Sequence, residues 1–508
     1  MRTLLKPGVL IAVLVMLAGC TTPSPTSDSM TEAEARNLIS EILSDVESIY
    51  LRETKTSEVV SAGFNQVQAT YPGIEFAIHD GIFVASVGNE TVASFKAGSE
   101  NGASDYWGDR VADMLVQMGQ VHSDKGDPTL KKLTDSFLQG VANGLDDSAA
   151  YIPPEWVEGG KSAPGKGEGG LDLILVRKPV GWLITRVRSP ALYESDLVRK
   201  GDVLLAIDGT PLKGLSDIET LALLHGKIGS TIELTISRAG HDRPLTIELQ
   251  REPPGRAAGD NYPFGGAFVI GAILIDPGTV KSMRQAMAEH ATAPDVSVSG
   301  IILDLRGTVG GALEPVVDLA DTFLETGPIF STRGRHKESE QHFSATEKRP
   351  FRLPVVVLVD SYTGAGGELV AAALQDHGHA VVVGTTSFGK GTIETVLPLS
   401  NRGVLKLPWT EVITSSGYRL DKRGVMPTVC TGGSLAAEDV MAELRSGGGV
   451  TGYATRTQEI DPDDTAAVDD FRALCPPRSD GADIEIEVAR ALLANHALFS
   501  QVLAAASR

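Results

Sequence analysis

The stretch that most constrains this chain runs from Pro354 to Thr395. It opens on Val355-Val-Val-Leu-Val359, an apolar β-branched run that reads as a buried strand. Ser361-Tyr-Thr-Gly-Ala-Gly-Gly-Glu368 follows. Its small residues Gly364, Ala365, Gly366 and Gly367 mark a sharp turn where backbone must pass close to something. Leu369 to Leu374 has helical spacing, and Gly378 ends that helix. Ala380–Val383 is a second buried strand, after which Lys390 sits between Gly389 and Gly391 in a tight loop. A strand, a tight turn and a helix N-terminus make a reactive-centre geometry, because the helix end offers free N–H groups to a developing anion.

Glu368, Gln375-Asp376-His377-Gly378 and Phe388-Gly389-Lys390-Gly391 stand in the order found in the tail-specific, or C-terminal processing, serine proteases. The stretch resembles the active-site core of that family. Upstream, Asp304-Leu-Arg306 followed by Gly310-Gly311 is similar to its Asp-Leu-Arg motif, and Gly424-Val-Met-Pro427 to its closing Gly-x-x-Pro. The resemblance implies peptide hydrolysis by a serine–lysine dyad. Lys390 is then the general base, since burial favours the neutral lysine that accepts a hydroxyl proton. The oxyanion hole falls on the N–H groups of Gly310 and Gly366. Counting back from Lys390 by the family's spacing, the nucleophile position is Ala365, which has no hydroxyl. Glu394 stands where the family usually has a lysine-orienting glutamine, and a carboxylate there opposes the base role. Ser361, Thr363 and Ser387 are the nearby hydroxyls, and each needs the turn rebuilt to act instead. On this reading the chain as written is inactive as a serine-type endopeptidase. The alternative is a non-catalytic scaffold that binds tails or regulates a protease.

The fold class expected is α/β and multidomain. A helical, mixed N-terminal domain spans residues 31–155. It opens with a capping-box spacing, Thr31 to Glu34, and ends in the amphipathic run Leu130–Leu145. Within it, Ile74–Ile78 and Ile82–Ser86 alternate as short strands. Residues 156–168 are rich in Gly, Lys and Ser, as a linker is. Residues 168–252 resemble a PDZ domain, with Gly201-Asp-Val203 and the Asp208-Gly209 turn as its clearest signatures. Such a domain adds a peptide C-terminus as a strand and cradles its carboxylate. The loop implied here is Gly170-Leu171-Asp172-Leu173, where Asp172 either weakens capture or points outward. A peptidase-type α/β core follows over 260–430, and a C-terminal extension over 431–508, with a final amphipathic helix near Ile484–Leu503.

At 508 residues the chain has room for about three domains, and its net charge of −20 argues against nucleic acid as a partner. Arg2 and Lys6 precede the short apolar run Val9–Leu17, which ends in Leu17-Ala18-Gly19-Cys20. This resembles a bacterial lipoprotein signal (residues 1–19) that leaves a lipidated Cys20 and a Ser/Thr/Pro-rich tether, 20–30. It implies a periplasm-facing lipoprotein of the bacterial cell envelope, bound to membrane through lipid. Cys430 and Cys475 are then either bridged, tying the extension to the core, or two free thiols. Unfolded or tail-exposed proteins are the partners implied, with a second copy of the chain or an adaptor left open. No metal-ligand cluster or phosphate-cradling loop is evident, so no cofactor is expected.

Overall fold

The computed structural model describes residues 29–506, apart from residues 89, 123–127, 147, 159–167, 172, 179, 188–191, 193–196, 200, 214, 216, 242, 253–257, 292–298, 309, 347–350, 434–435 and 479–482. The signal segment, Cys20, Asp172 and most of the 156–168 linker therefore lie outside the described residues. Among those described, no single helix is long and apolar enough to cross a membrane.

The N-terminal region packs helices Glu32–Ile49, Thr56–Thr70, Ser104–His122 and Leu130–Leu145 around a three-stranded antiparallel meander, Ile74–His79, Ile82–Val87 and Glu90–Lys96. The first helix starts where its capping box says it must. The Thr31 N–H donates to Glu34 Oε2 at 2.8 Å, and the Glu34 N–H returns to Thr31 Oγ1 at 3.2 Å. Rings fill the core: Phe64 stacks on Phe76, and Phe83 on Phe95, with Trp107 edge-on to both of the latter. Leu399, Leu405 and Leu407 enter this same core from a distant hairpin, Thr392–Pro398 with Val404–Thr414. Ala150–Ile152 pairs on the latter strand.

The β-rich domain is an antiparallel sheet in the order Leu245–Gln250, Thr231–Ser237, Val203–Ile207, Gly181–Val187, Leu173–Lys178, with helix Asp217–Leu224. Asp208 and Gly209 hold φ of 47° and 75°, as the tight Ile207–Thr210 hairpin requires. Leu173–Lys178 lies at the edge of the sheet.

The core is a three-layer α/β sandwich. Ala267–Ala272, Gly300–Asp304, Val355–Val359, Ala380–Gly384 and Val429–Cys430 run parallel, with Ala258–Phe264 antiparallel at one edge. Strands covered on both faces are apolar throughout, which explains the unbroken Val355–Val359 run. Its odd and even residues part to opposite faces. Val355, Val357 and Val359 meet the layer formed by helices Pro277–Ala291, Leu313–Asp321 and Gly366–Asp376. Val356 and Leu358 meet Val440, Val488, Leu492 and Val502 of the C-terminal extension.

One sequence expectation needs correction here. The final helix is two, Glu485–Ala494 and His496–Ala506, bent by 110° at Asn495, whose side chain caps the Leu498 N–H at 3.1 Å. The extension is a full layer of the core, so Leu492→Ala should cost about 2–5 kcal/mol. A lowered urea midpoint at unchanged slope is the measurement that checks this.

Candidate active site

The site forms at the carboxyl ends of the parallel strands, where open α/β sheets place their ligands. Val355–Val359 leads into the small-residue turn and Ala380–Gly384 into the Lys390 loop. Gly300–Asp304 leads into the turn carrying Gly310. Ala365 caps the helix Gly366–Asp376 with φ 47° and ψ −119°, backbone that a residue with a β-carbon rarely adopts. Strain of this kind persists only where the surroundings over-determine it.

Glu368 does the determining. It is fully buried, and its Oε2 accepts the N–H of Ala365 at 3.0 Å and that of Lys390 at 2.8 Å. Its Oε1 accepts the Gly389 N–H at 2.6 Å and the Ser387 hydroxyl. One carboxyl thus sets the turn and the lysine loop against each other. Burial pushes it up from an ordinary 4.5 to about 7. The hydrogen bonds from Ser387, Gly389 and Lys390 and the charge of Arg472 pull the other way.

The glycines answer what the backbone passes close to. A β-carbon on Gly366 would stand 2.6 Å from Val316 Cγ2, and one on Gly367 2.8 Å from Thr308 Cβ. The helix start is therefore pressed onto Val316 and Thr308. A β-carbon on Gly310 would lie 3.8 Å from that of Ala365. The residues named for an oxyanion hole, Gly310 and Gly366, thus flank position 365. Whatever side chain stands at 365 is presented to both.

Lys390 differs from expectation in its surroundings. Its side chain is 28% exposed, so the apolar enclosure of a neutral base is only partial. Its Nζ lies 2.9 Å from Glu394 Oε1, which is also 3.6 Å from Lys406 Nζ. Of the alternative hydroxyls, Thr363 is buried between Leu305 O and Asp360 Oδ1, 3.0 Å from each. Ser387 Oγ donates to Glu368 and accepts the Val425 N–H at 2.7 Å. Ser361 is half-buried at the start of the turn.

The expected carboxylate loop also changes. The Gly170 N–H is spent on Glu252 O at 2.9 Å and the Leu173 N–H on Leu171 O at 2.9 Å, so neither is free for a ligand. Leu171 is buried in the domain's core. Cys430 and Cys475 are joined, with sulfurs 2.07 Å apart. Sequence reasoning gave Glu368 no role, although its three-residue offset from position 365 is a capping-box spacing. It also missed Arg472, whose Nη1 donates to Ser387 O at 2.7 Å. Nothing in the local pattern around that arginine signals it.

Residues 270–431 match the model of peptidase family S41, and residues 170–249 match the PDZ domain. The carboxy-terminal-processing protease of Bartonella bacilliformis is 31% identical over 317 residues, covering 59% of this chain and 70% of that protein. The carboxy-terminal processing protease CtpA of Bacillus subtilis is 25% identical over 305 residues, covering 59% of this chain and 64% of that one. The photosystem II D1 C-terminal processing protease has the same fold, with a TM-score of 0.50 at 21% identity over 73% of this chain and 92% of that chain. A PDZ domain joined to an α/β core with a strained helix cap is the arrangement of a serine-peptidase-type protein. The chain belongs to the C-terminal processing peptidases of family S41.

The Glu368 carboxyl gives a pH test. Its folded value lies above its ordinary one, so its contribution to stability is full below about pH 4.5 and is lost as pH rises to about 7. Glu368→Gln should remove a slope on the order of 3 kcal/mol across that window. Urea unfolding of both proteins at about pH 4 and pH 8 measures it, and equal slopes would refute the assignment.

Proposed function

We propose that this chain is a lipid-anchored, periplasm-facing protein of the bacterial envelope that recognises protein C-terminal tails and holds them without cutting. The observation that carries this is Ala365. It occupies the strained helix cap beside Gly310 and Gly366, where hydrolysis needs a nucleophile, and brings only a methyl group. The 2.9 Å contact of Lys390 Nζ with Glu394 Oε1 supports the same reading, because it engages the nitrogen that would have to accept a hydroxyl proton. Thr363 and Ser387 are tied into buried networks and offer no substitute.

The partners this implies are unfolded or tail-exposed proteins. The edge strand Leu173–Lys178 is the place where an extended peptide adds to the PDZ sheet. The relatives named above are processing proteases, and the retained turn, glycines and lysine loop support descent from a cutting ancestor. Lipid on Cys20 would place the domain at a membrane surface. The second reading, an active envelope endopeptidase, needs a hydroxyl at position 365.

A paired assay separates the two. The chain from residue 21 and its Ala365→Ser variant are incubated with an unfolded protein, and cleavage is followed by mass spectrometry. Cleavage by the serine variant alone is the expected result. Cleavage by the chain as written, abolished by Lys390→Ala, would overturn the proposal. Silence from both would assign a second lesion to the site, with Glu394→Gln the next substitution to add.

A further inference from the structure

The C-terminal extension lies beyond the part of the chain that matches the peptidase family, yet it reaches the cleft. Helix Thr465–Ala473 delivers Arg472, whose Nη1 faces four main-chain carbonyls. These are Ser387 O at 2.7 Å, Phe388 O at 3.3 Å, Lys422 O at 3.3 Å and Arg423 O at 3.2 Å. The first two belong to the Lys390 loop. The same guanidinium acts by its charge on buried Glu368, the group holding that loop against the residue-365 turn. Cys475 then anchors the segment. Its carbonyl accepts the Thr386 N–H at 3.2 Å and the Thr386 hydroxyl at 3.0 Å, and its sulfur is bonded to Cys430 at the end of the adjacent core strand. One short segment therefore touches the lysine loop at Thr386, Ser387 and Phe388.

We propose that Arg472 is a positioning residue for the cleft, held in place by the Cys430–Cys475 bridge, so that reducing the bridge releases the Lys390 loop. This deepens the reading of the cleft given above and rests on it for any effect on cleavage. One nitrogen of a delocalised cation suits the task, since its N–H groups sit among these carbonyls while the charge acts on a carboxylate. The bridge matters because it closes a loop of 45 residues between the core and the arginine's helix. Reduction by a dithiol supplies two electrons and two protons. The Sγ–Sγ bond breaks, two thiols form, and the reductant closes to its own disulfide. Cys430 is half-buried and Cys475 fully buried, so an attacking thiolate meets the bridge at the Cys430 sulfur.

Hydrogen exchange in the chain from residue 21 tests this without needing activity. Arg472→Met, and separately dithiol treatment, should speed exchange at the Gly389 and Lys390 amides by about tenfold or more, leaving the Val355–Val359 amides unchanged. Arg472→Lys, which keeps a cation toward Glu368, should restore most of that protection. Unchanged exchange at Gly389 and Lys390 overturns the proposal. So does an equal acceleration in strand Val355–Val359, which would mark a general loss of structure, or a lysine variant as exposed as the methionine one. A Cys430→Ser/Cys475→Ser chain repeats the test should Arg472→Met not fold. In the Ala365→Ser background Arg472→Met should lower kcat with KM little changed. If Ala365→Ser proves silent, the exchange result still decides this proposal on its own.

Discussion

A single buried carboxyl organises the cleft. Glu368 gathers two loops that the chain reaches by different routes, and its two oxygens receive donors from both. Buried polar groups are tolerable only when satisfied, and a network completed on every side fixes one arrangement rather than several. The strained cap at Ala365 follows from this. The N–H of that residue is pulled onto Glu368 Oε2, and the glycines behind it let the helix start press against Val316 and Thr308. The geometry of this turn is thus maintained by Glu368 and the glycines, and not by the side chain at position 365.

Much of this was legible in the residues. The β-branched run at Val355–Val359, the Asp208-Gly209 turn and the Thr31–Glu34 cap are local signals, and local physics set them in place. Helices Thr56–Thr70 and Ser104–His122 were not read, because their apolar faces are broken by glycine and polar residues and become regular only against the meander they cover. The break at Asn495 was missed for a related reason. Apolar residues continue across it, and only the packing of both helices onto the sheet reveals the bend.

The site itself was half legible. Motif order found the turn, the lysine loop and the Gly310 turn. It could not show that the Gly170 N–H is spent on Glu252 O, or that an arginine from the far end of the chain donates to the Lys390 loop. Those are contacts between segments far apart in sequence, and each depends on which of several reachable partners wins. The tail, which carries no catalytic pattern of its own, proves to be the second face of the sheet. Arg306 of the Asp-Leu-Arg motif pairs with Asp304 at 2.8 Å and reaches Glu485 of the tail at 3.3 Å.

The hairpin Thr392–Pro398/Val404–Thr414 carries Glu394 and Lys406 on one face, and buries Leu405 and Leu407, the neighbours of Lys406, among the N-terminal helices on the other, with Leu399 beside them. A two-stranded arm thus turns one face to the lysine loop and the other to another domain's oil. The N-terminal region is for that reason no removable appendage. Cut away, it would leave the arm's apolar face in water and a bare strand edge beside it, which is a template for unwanted pairing between molecules. The peptidase-type core and the helical region are two named parts of one solubility problem, solved only when both are present.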